Sequence, residues 1–170
     1  QSAWESTLEP VYPTKPESSS LGGLGDLAFQ PSSSIIQHSK SNIPRPKVVI
    51  PAFPGTNSEY DSAKSFREAG GNPEILVFRN LSQPHVSESL DALAAKIRES
   101  QILMFPGGFS AGDEPNGSAK FIVNVLKNER IKNSIHQFLS KGGLMLGICN
   151  GFQALIKSGL LPYGEVKNTT

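Results

Sequence analysis

The sequence predicts an α/β domain built on a flavodoxin-like, doubly wound parallel sheet, and three observations carry that prediction. Four short apolar runs, "KVVIPAF", "EILVF", "QILMF" and "GLMLGI", alternate with amphipathic helical stretches from Lys47 onward. The runs are nearly continuous in apolar residues, as expected of strands covered on both faces rather than strands with one wet face. Glycine-rich or polar turns, "PGTN", "PGGFSAGD" and "GICNG", follow three of them. Right-handed crossovers then restrict the topology, and in such sheets chemistry gathers at the carboxyl ends of the strands.

The elements follow in order. Residues 1–46 hold six of the thirteen prolines, two serine triplets and "LGGLGD", without a sustained period of 2 or 3.6. They read as a linker or wrapped extension, with Trp4, Tyr12, Phe29, Ile35 and Ile36 available to dock on a neighbour. "GGLG" follows no strand and opens no helix, so it reads as a hinge rather than a phosphate loop. Residues 47–170 form the second unit. "KVVIPAF" is the first strand, ended by the turn formers "PGTN". "EYDSAKSFREAG" places Ala63, Phe66 and Ala69 on one helical face and closes on Gly70 and Gly71. After "EILVF", "SESLDALAAKIRES" aligns Leu90, Leu93, Ala94 and Ile97. "QILMF" leads into the long loop "PGGFSAGDEPNGS". Helices over 119–127 and 130–141 come next, the second with Ile131, Ile135, Phe138 and Leu139 facing inward. "GLMLGI" is the fourth strand and "NGFQALIKSG" the helix after it.

With 170 residues the chain can bury a proper core, and its apolar content is that of a globular protein. Sixteen basic and fifteen acidic residues give a net charge of +1, so electrostatics argue for neither nucleic acid nor an anionic membrane as partner. No apolar run approaches the ~20 residues that span a bilayer, and no basic-then-apolar leader is visible. One cysteine can form no internal disulfide and no cysteine-rich metal site, so the expectation is a cytoplasmic protein without a bound metal. The first residue, Gln1, points to a processed or partial chain.

That single cysteine, Cys149, stands in "GICNG", the cysteine form of the G-x-S-x-G nucleophile elbow. A sharp strand-to-helix turn needs small residues beside the nucleophile, here Gly147 and Gly151. The helix N-terminus favours a thiolate, and the backbone N–H of Asn150 points where an oxyanion would form. The competing reading, a buried and inert cysteine, is weakened by the two glycines. In "FPGGFSAGD", adjacent glycines after a strand let the backbone approach a ligand, and Gly107 or Gly108 could supply a second oxyanion donor. Asp113 and Glu114 read as a solvated loop rather than a carboxylate pair. A cysteine nucleophile needs a base, commonly histidine. None of the three fits: His38 lies in the proline- and serine-rich segment, His85 precedes a helix, and His136 sits on a polar helix side.

Taken together, "IPAFPGTNSEYDSA", "MFPGGFSAGDEPNGSAKFI" and "GLMLGICNGFQALIKSGLLPYG" resemble the class I, or triad-type, glutamine amidotransferase domain of phosphoribosylformylglycinamidine synthases. The blocks occur in the family's order across most of residues 45–164, and "LEPVYPTKPE" is similar to the end of the synthetase portion that precedes the domain in single-chain members. The resemblance implies that Cys149 attacks the side-chain amide of L-glutamine, giving a γ-glutamyl thioester and ammonia. The ammonia then serves the conversion of formylglycinamide ribonucleotide to its amidine in purine biosynthesis. It implies an oxyanion hole from the backbone N–H groups of Gly108 and Asn150, with Gly107, Phe109, Gln153 and Asn57 lining the glutamine site. No cofactor is expected in this chain; ATP and magnesium belong to the synthetase portion, the expected protein partner.

Two departures stand out. Ser58 occupies a position that is often cysteine, which touches no step of the reaction. The family's catalytic histidine and glutamate lie beyond "LPYG", so the expectation is an amidotransferase domain with its C-terminal part missing and little activity alone. The alternatives are another cysteine hydrolase on the same fold, a non-catalytic docking module, and a flavin-binding protein. The last is disfavoured by Glu59 and Asp61 where a phosphate would sit.

Overall fold

A computed structural model describes residues 45–110 and 117–167 of the chain. The proline- and serine-rich expectation for residues 1–46, including His38 and the five docking candidates, therefore lies outside the described residues except for Arg45 and Pro46. Asp113 and Glu114 lie outside them as well.

All four expected strands form: β1 (Lys47–Ala52), β2 (Asn72–Val77), β3 (Ile102–Phe105) and β4 (Leu144–Gly147). They make one parallel sheet in the order β2-β1-β3-β4. Between them run α1 (Glu59–Glu68), α2 (Gln83–Glu99), α3 (Lys120–Leu126) and α4 (Glu129–Ser140), with α5 (Asn150–Ser158) and the short α6 (Leu160–Tyr163) after β4. The chain moves from β1 to β2 in one direction, then returns across β1 to β3 and continues to β4. The switch of direction falls between β1 and β3, where a doubly wound sheet opens a crevice at its carboxyl edge.

The helices start and stop where local chemistry directs. The Ser82 side chain accepts a hydrogen bond from the His85 backbone N–H at the start of α2, and Asn128 does the same for Arg130 at the start of α4. The apolar stripes of α2, α3, α4 and α5 share one core with Val49, Leu103 and Phe105. Leu93, Ile97, Leu126, Ile131 and Ile135 within it are 1% exposed or less. The smaller opposite core joins Val48, Ile50 and Met104 to Ala63 of α1. Phe53, Phe78 and Phe105, each at or just past a strand's carboxyl end, cluster with Phe121, with ring centroids 5.4–6.4 Å apart. The strand-end turns thus rise from a packed aromatic base. At the other end of the sheet, Lys96 of α2 bonds Glu74 of β2 at 2.9 Å, and that partner holds its ammonium above the usual Lys range.

Two expectations are corrected. Ala69 is exposed rather than part of the inner face of α1, because the helix ends at Glu68 and the chain turns through Gly70 at φ +88°. The strands are also not all covered on both faces. In the register Ile102↔Leu144 and Met104↔Leu146, Leu144 and Leu146 share the face of α1. That helix packs chiefly on β1 and β2. Leu144 is consequently 65% and Leu146 43% exposed. The apolar run was read correctly as a strand, but apolarity alone cannot say whether a covering element is present.

Candidate active site

Three strand ends meet at the crevice. From β4 the chain turns through Ile148 and Cys149 into α5. Cys149 has φ 50° and ψ −110°, a conformation that costs a non-glycine residue about 1–3 kcal/mol. The turn is held by hydrogen bonds from Ile148 N–H to the Phe105 carbonyl (3.1 Å), Gly151 N–H to the Ile148 carbonyl (2.9 Å) and Gln153 N–H to the Cys149 carbonyl (3.0 Å). Its flanking glycines are there for space. A β-carbon on Gly147 would lie 2.8 Å from the carbonyl of Gly151, and one on Gly151 would overlap the Phe105 carbonyl oxygen. The cysteine itself is exposed, at the first turn of a helix whose amide dipoles favour negative charge.

The loop after β3 lies against this elbow. A β-carbon on Gly107 would be 3.5 Å from Cβ of Cys149, and Gly107 is buried. On its other side the loop is tied to the turn after β1 by Asn57 N–H to the Gly107 carbonyl (3.0 Å) and Phe109 N–H to the Gly55 carbonyl (2.8 Å). These two bonds bracket a Thr56–Gly108 bridge. In such an antiparallel pair the central N–H groups point away from the partner segment, so the Gly108 N–H is turned outward from the 55–57 turn. Gly108 has φ +143°, and a side chain there would overlap the Gly55 carbonyl oxygen.

Buried side chains join loop and helix. Ser110 Oγ donates to Asn150 Oδ1 at 2.9 Å, and these residues are 0% and 3% exposed. Asn150 Nδ2 donates to Gln153 Oε1 at 3.1 Å, and Ser118 Oγ donates to that same oxygen. Lys157 Nζ donates to the Ser118 carbonyl at 2.7 Å.

The structure thus brings Cys149, Gly107, Gly108, Asn150 and Asn57 to one crevice. The Phe109 side chain is 57% exposed, while its backbone is fixed. Gln153 sits one turn into α5 with its carbonyl oxygen turned into the polar joint. Among the histidines, His85 lies in the first turn of α2 with a buried, unpartnered Nδ1. His136 is on α4, beside a groove shared with Lys132, Asn133 and Glu165. No hydrogen bond among the described residues joins either to Cys149.

Sequence reasoning missed two serines, Ser110 and Ser118, and gave a third, Ser58, no role. Ser110 and Ser118 anchor the loop, and Ser58 Oγ lies 3.6 Å from the β-carbon position of Gly107, the same spot that Cys149 approaches. Ser58 is itself at φ 98°. A serine in a glycine-rich loop reads as turn chemistry, and nothing in the sequence announces a partner 40 residues away. Among the described residues no group of three His, Cys, Asp or Glu could hold a metal ion. No helix among them is long and apolar enough to cross a membrane.

The chain resembles several known proteins. The phosphoribosylformylglycinamidine synthase subunit PurQ of Dehalococcoides mccartyi is 38% identical over 122 residues, covering 72% of this chain and 43% of that protein. The PurQ subunit of Methanococcus maripaludis is also 38% identical, over 125 residues, 71% of this chain and 42% of that protein. The chain thus spans less than half the length of these curated relatives. A chain in the solved structure of PurLQS from Thermotoga maritima aligns with a TM-score of 0.48 at 26% identity, over 69% of this chain and 46% of that one. The CobB/CobQ-like glutamine amidotransferase domain matches residues 45–170, a span that takes in all four strands, the three turns at their carboxyl ends and the strained cysteine. By that match, the chain belongs to the CobB/CobQ-like glutamine amidotransferase domain family.

Proposed function

We propose that this chain carries the nucleophile half of a glutaminase that supplies ammonia to phosphoribosylformylglycinamidine synthase, in the cytoplasm. The observation that carries the reading is Cys149, held exposed at φ 50° on a strand-to-helix turn directly against Gly107. Similarity to the PurQ subunits supports the choice of synthase.

The thiolate of Cys149 attacks the amide carbonyl of glutamine, and the carbonyl electron pair moves onto oxygen. The Gly108 and Asn150 N–H groups receive that oxyanion. Its collapse expels the nitrogen, protonated to ammonia, and leaves a γ-glutamyl thioester. Water then attacks the thioester, releasing glutamate and the thiol. Asn57, Gly107, Phe109 and Gln153 line the glutamine site. The general base and its carboxylate partner come from outside these 170 residues, so the chain alone hydrolyses glutamine slowly or not at all. ATP and magnesium act in the synthetase portion, to which the ammonia passes.

Covalent labelling of Cys149 by a reactive glutamine analogue, read by peptide mass, tests this on the chain and on the full-length protein that carries it. The expected result is fast labelling of the full-length protein with protection by glutamine, and slow labelling of the chain. Labelling of the full-length protein no faster than a free thiol, without glutamine protection, would leave Cys149 a feature of a docking module.

A further inference from the structure

We propose that Ser110 is a positioning residue for this chemistry: acting through the Asn150 side chain, it holds the start of α5 in register with the 107–109 loop. The inference rests on the glutaminase reading and names a role beyond it.

An oxyanion hole built from Gly108 and Asn150 takes its two donors from chain segments 40 or so positions apart, on different elements. Both must lie roughly 2.7–3.1 Å from one oxygen, so an error in the spacing of the two segments acts on the transition state. The 107–109 loop is fixed on one flank by the backbone bonds to Gly55 and Asn57. On the flank facing α5, the Ser110–Asn150 hydrogen bond at 2.9 Å ties the loop to the helix. Asn150 is the residue whose own backbone N–H is the proposed donor, so the link acts on the donor residue itself. It works in one direction: the Ser110 hydroxyl donates to Oδ1, and the Asn150 amide passes a hydrogen bond on to Gln153. Gln153 is in turn tied to Ser118, beyond the far end of the loop. Ser110 is fully buried, so water does not replace its hydroxyl when it is removed. Both side chains are buried, Ser110 at 0% and Asn150 at 3% exposure, and both act through the backbone they hold.

The test uses the full-length protein that carries this chain, with steady-state glutaminase kinetics, Cys149 alkylation by iodoacetamide and thermal unfolding. Iodoacetamide reacts by direct displacement and makes no oxyanion, so it reports on the thiol and on the fold but not on the hole. Ser110→Ala is expected to lower kcat by roughly 10- to 100-fold, while KM and the alkylation rate stay within about threefold of wild type. Because both changes break one link, the Ser110→Ala/Asn150→Ala double variant should be no slower than Asn150→Ala alone. Wild-type kcat in Ser110→Ala would overturn the inference. So would a fall in kcat matched by an equal fall in alkylation, which marks a general structural loss, or additive effects in the double variant. A wild-type protein that hydrolyses no glutamine would instead sink the glutaminase reading, and this inference with it.

Discussion

Gly151→Ala sets two physical effects against each other, and the structure says which wins. Gly151 is the second residue of α5, where Ala is favoured over Gly by at most the helix-interior value of about 1 kcal/mol. Propensity alone therefore expects the variant to be more stable. The contacts point the other way: a β-carbon at this position would overlap the Phe105 carbonyl oxygen and lie 2.7 Å from its carbon. Relieving such overpacking typically costs about 1–3 kcal/mol. The same carbonyl accepts the Ile148 N–H bond at 3.1 Å, and losing that bond adds roughly 1 kcal/mol. Subtracting the propensity gain leaves a net destabilisation of about 1–3 kcal/mol, or a fall in Tm of roughly 4–12 °C for a domain of this size. Thermal unfolding followed by circular dichroism reads the sign directly. Labelling of Cys149 by the glutamine analogue should slow in parallel, because the displaced helix carries the elbow with it. An unchanged or raised Tm would refute the claim that α5 is pressed against the end of β3.

Three further outcomes are expected. Cys149→Gly should raise Tm by a few degrees while abolishing labelling, since relief of about 1–3 kcal/mol of backbone strain exceeds the ~0.5–1 kcal/mol entropic cost of glycine; Cys149→Ala, which keeps the strain, should show no such rise. Leu144→Gln should change stability by no more than about 0.5 kcal/mol in thermal unfolding, because its side chain lies on an open apolar face. Leu103→Ala in the adjacent strand, where the side chain is fully buried, should cost about 2–5 kcal/mol.

The strands were legible because each is a short apolar run closed by turn formers. The helices were legible because Leu90, Leu93, Ala94 and Ile97 recur at helical spacing, and the elbow because Gly147 and Gly151 flank the chain's one cysteine. These are local signals, written within a dozen residues of each other, and backbone sterics act over that range. Where the signal was merely apolar it over-reached: "GLMLGI" marked a strand but not that one face of it stands open. Ala69 showed the same limit, its periodicity running one position past the end of α1.

The sequence by itself determined the order of the elements, the parallel sheet and the place of the one cysteine on a strand-to-helix turn. Only the tertiary structure decided that Gly107 lies against Cys149, that the Gly108 N–H is turned outward, and that Ser110 bonds Asn150. Those contacts join residues about 40 positions or more apart. They are set by which strand lies beside which and by how closely α5 is pressed against Phe105, and no periodicity or propensity encodes such distances along the chain.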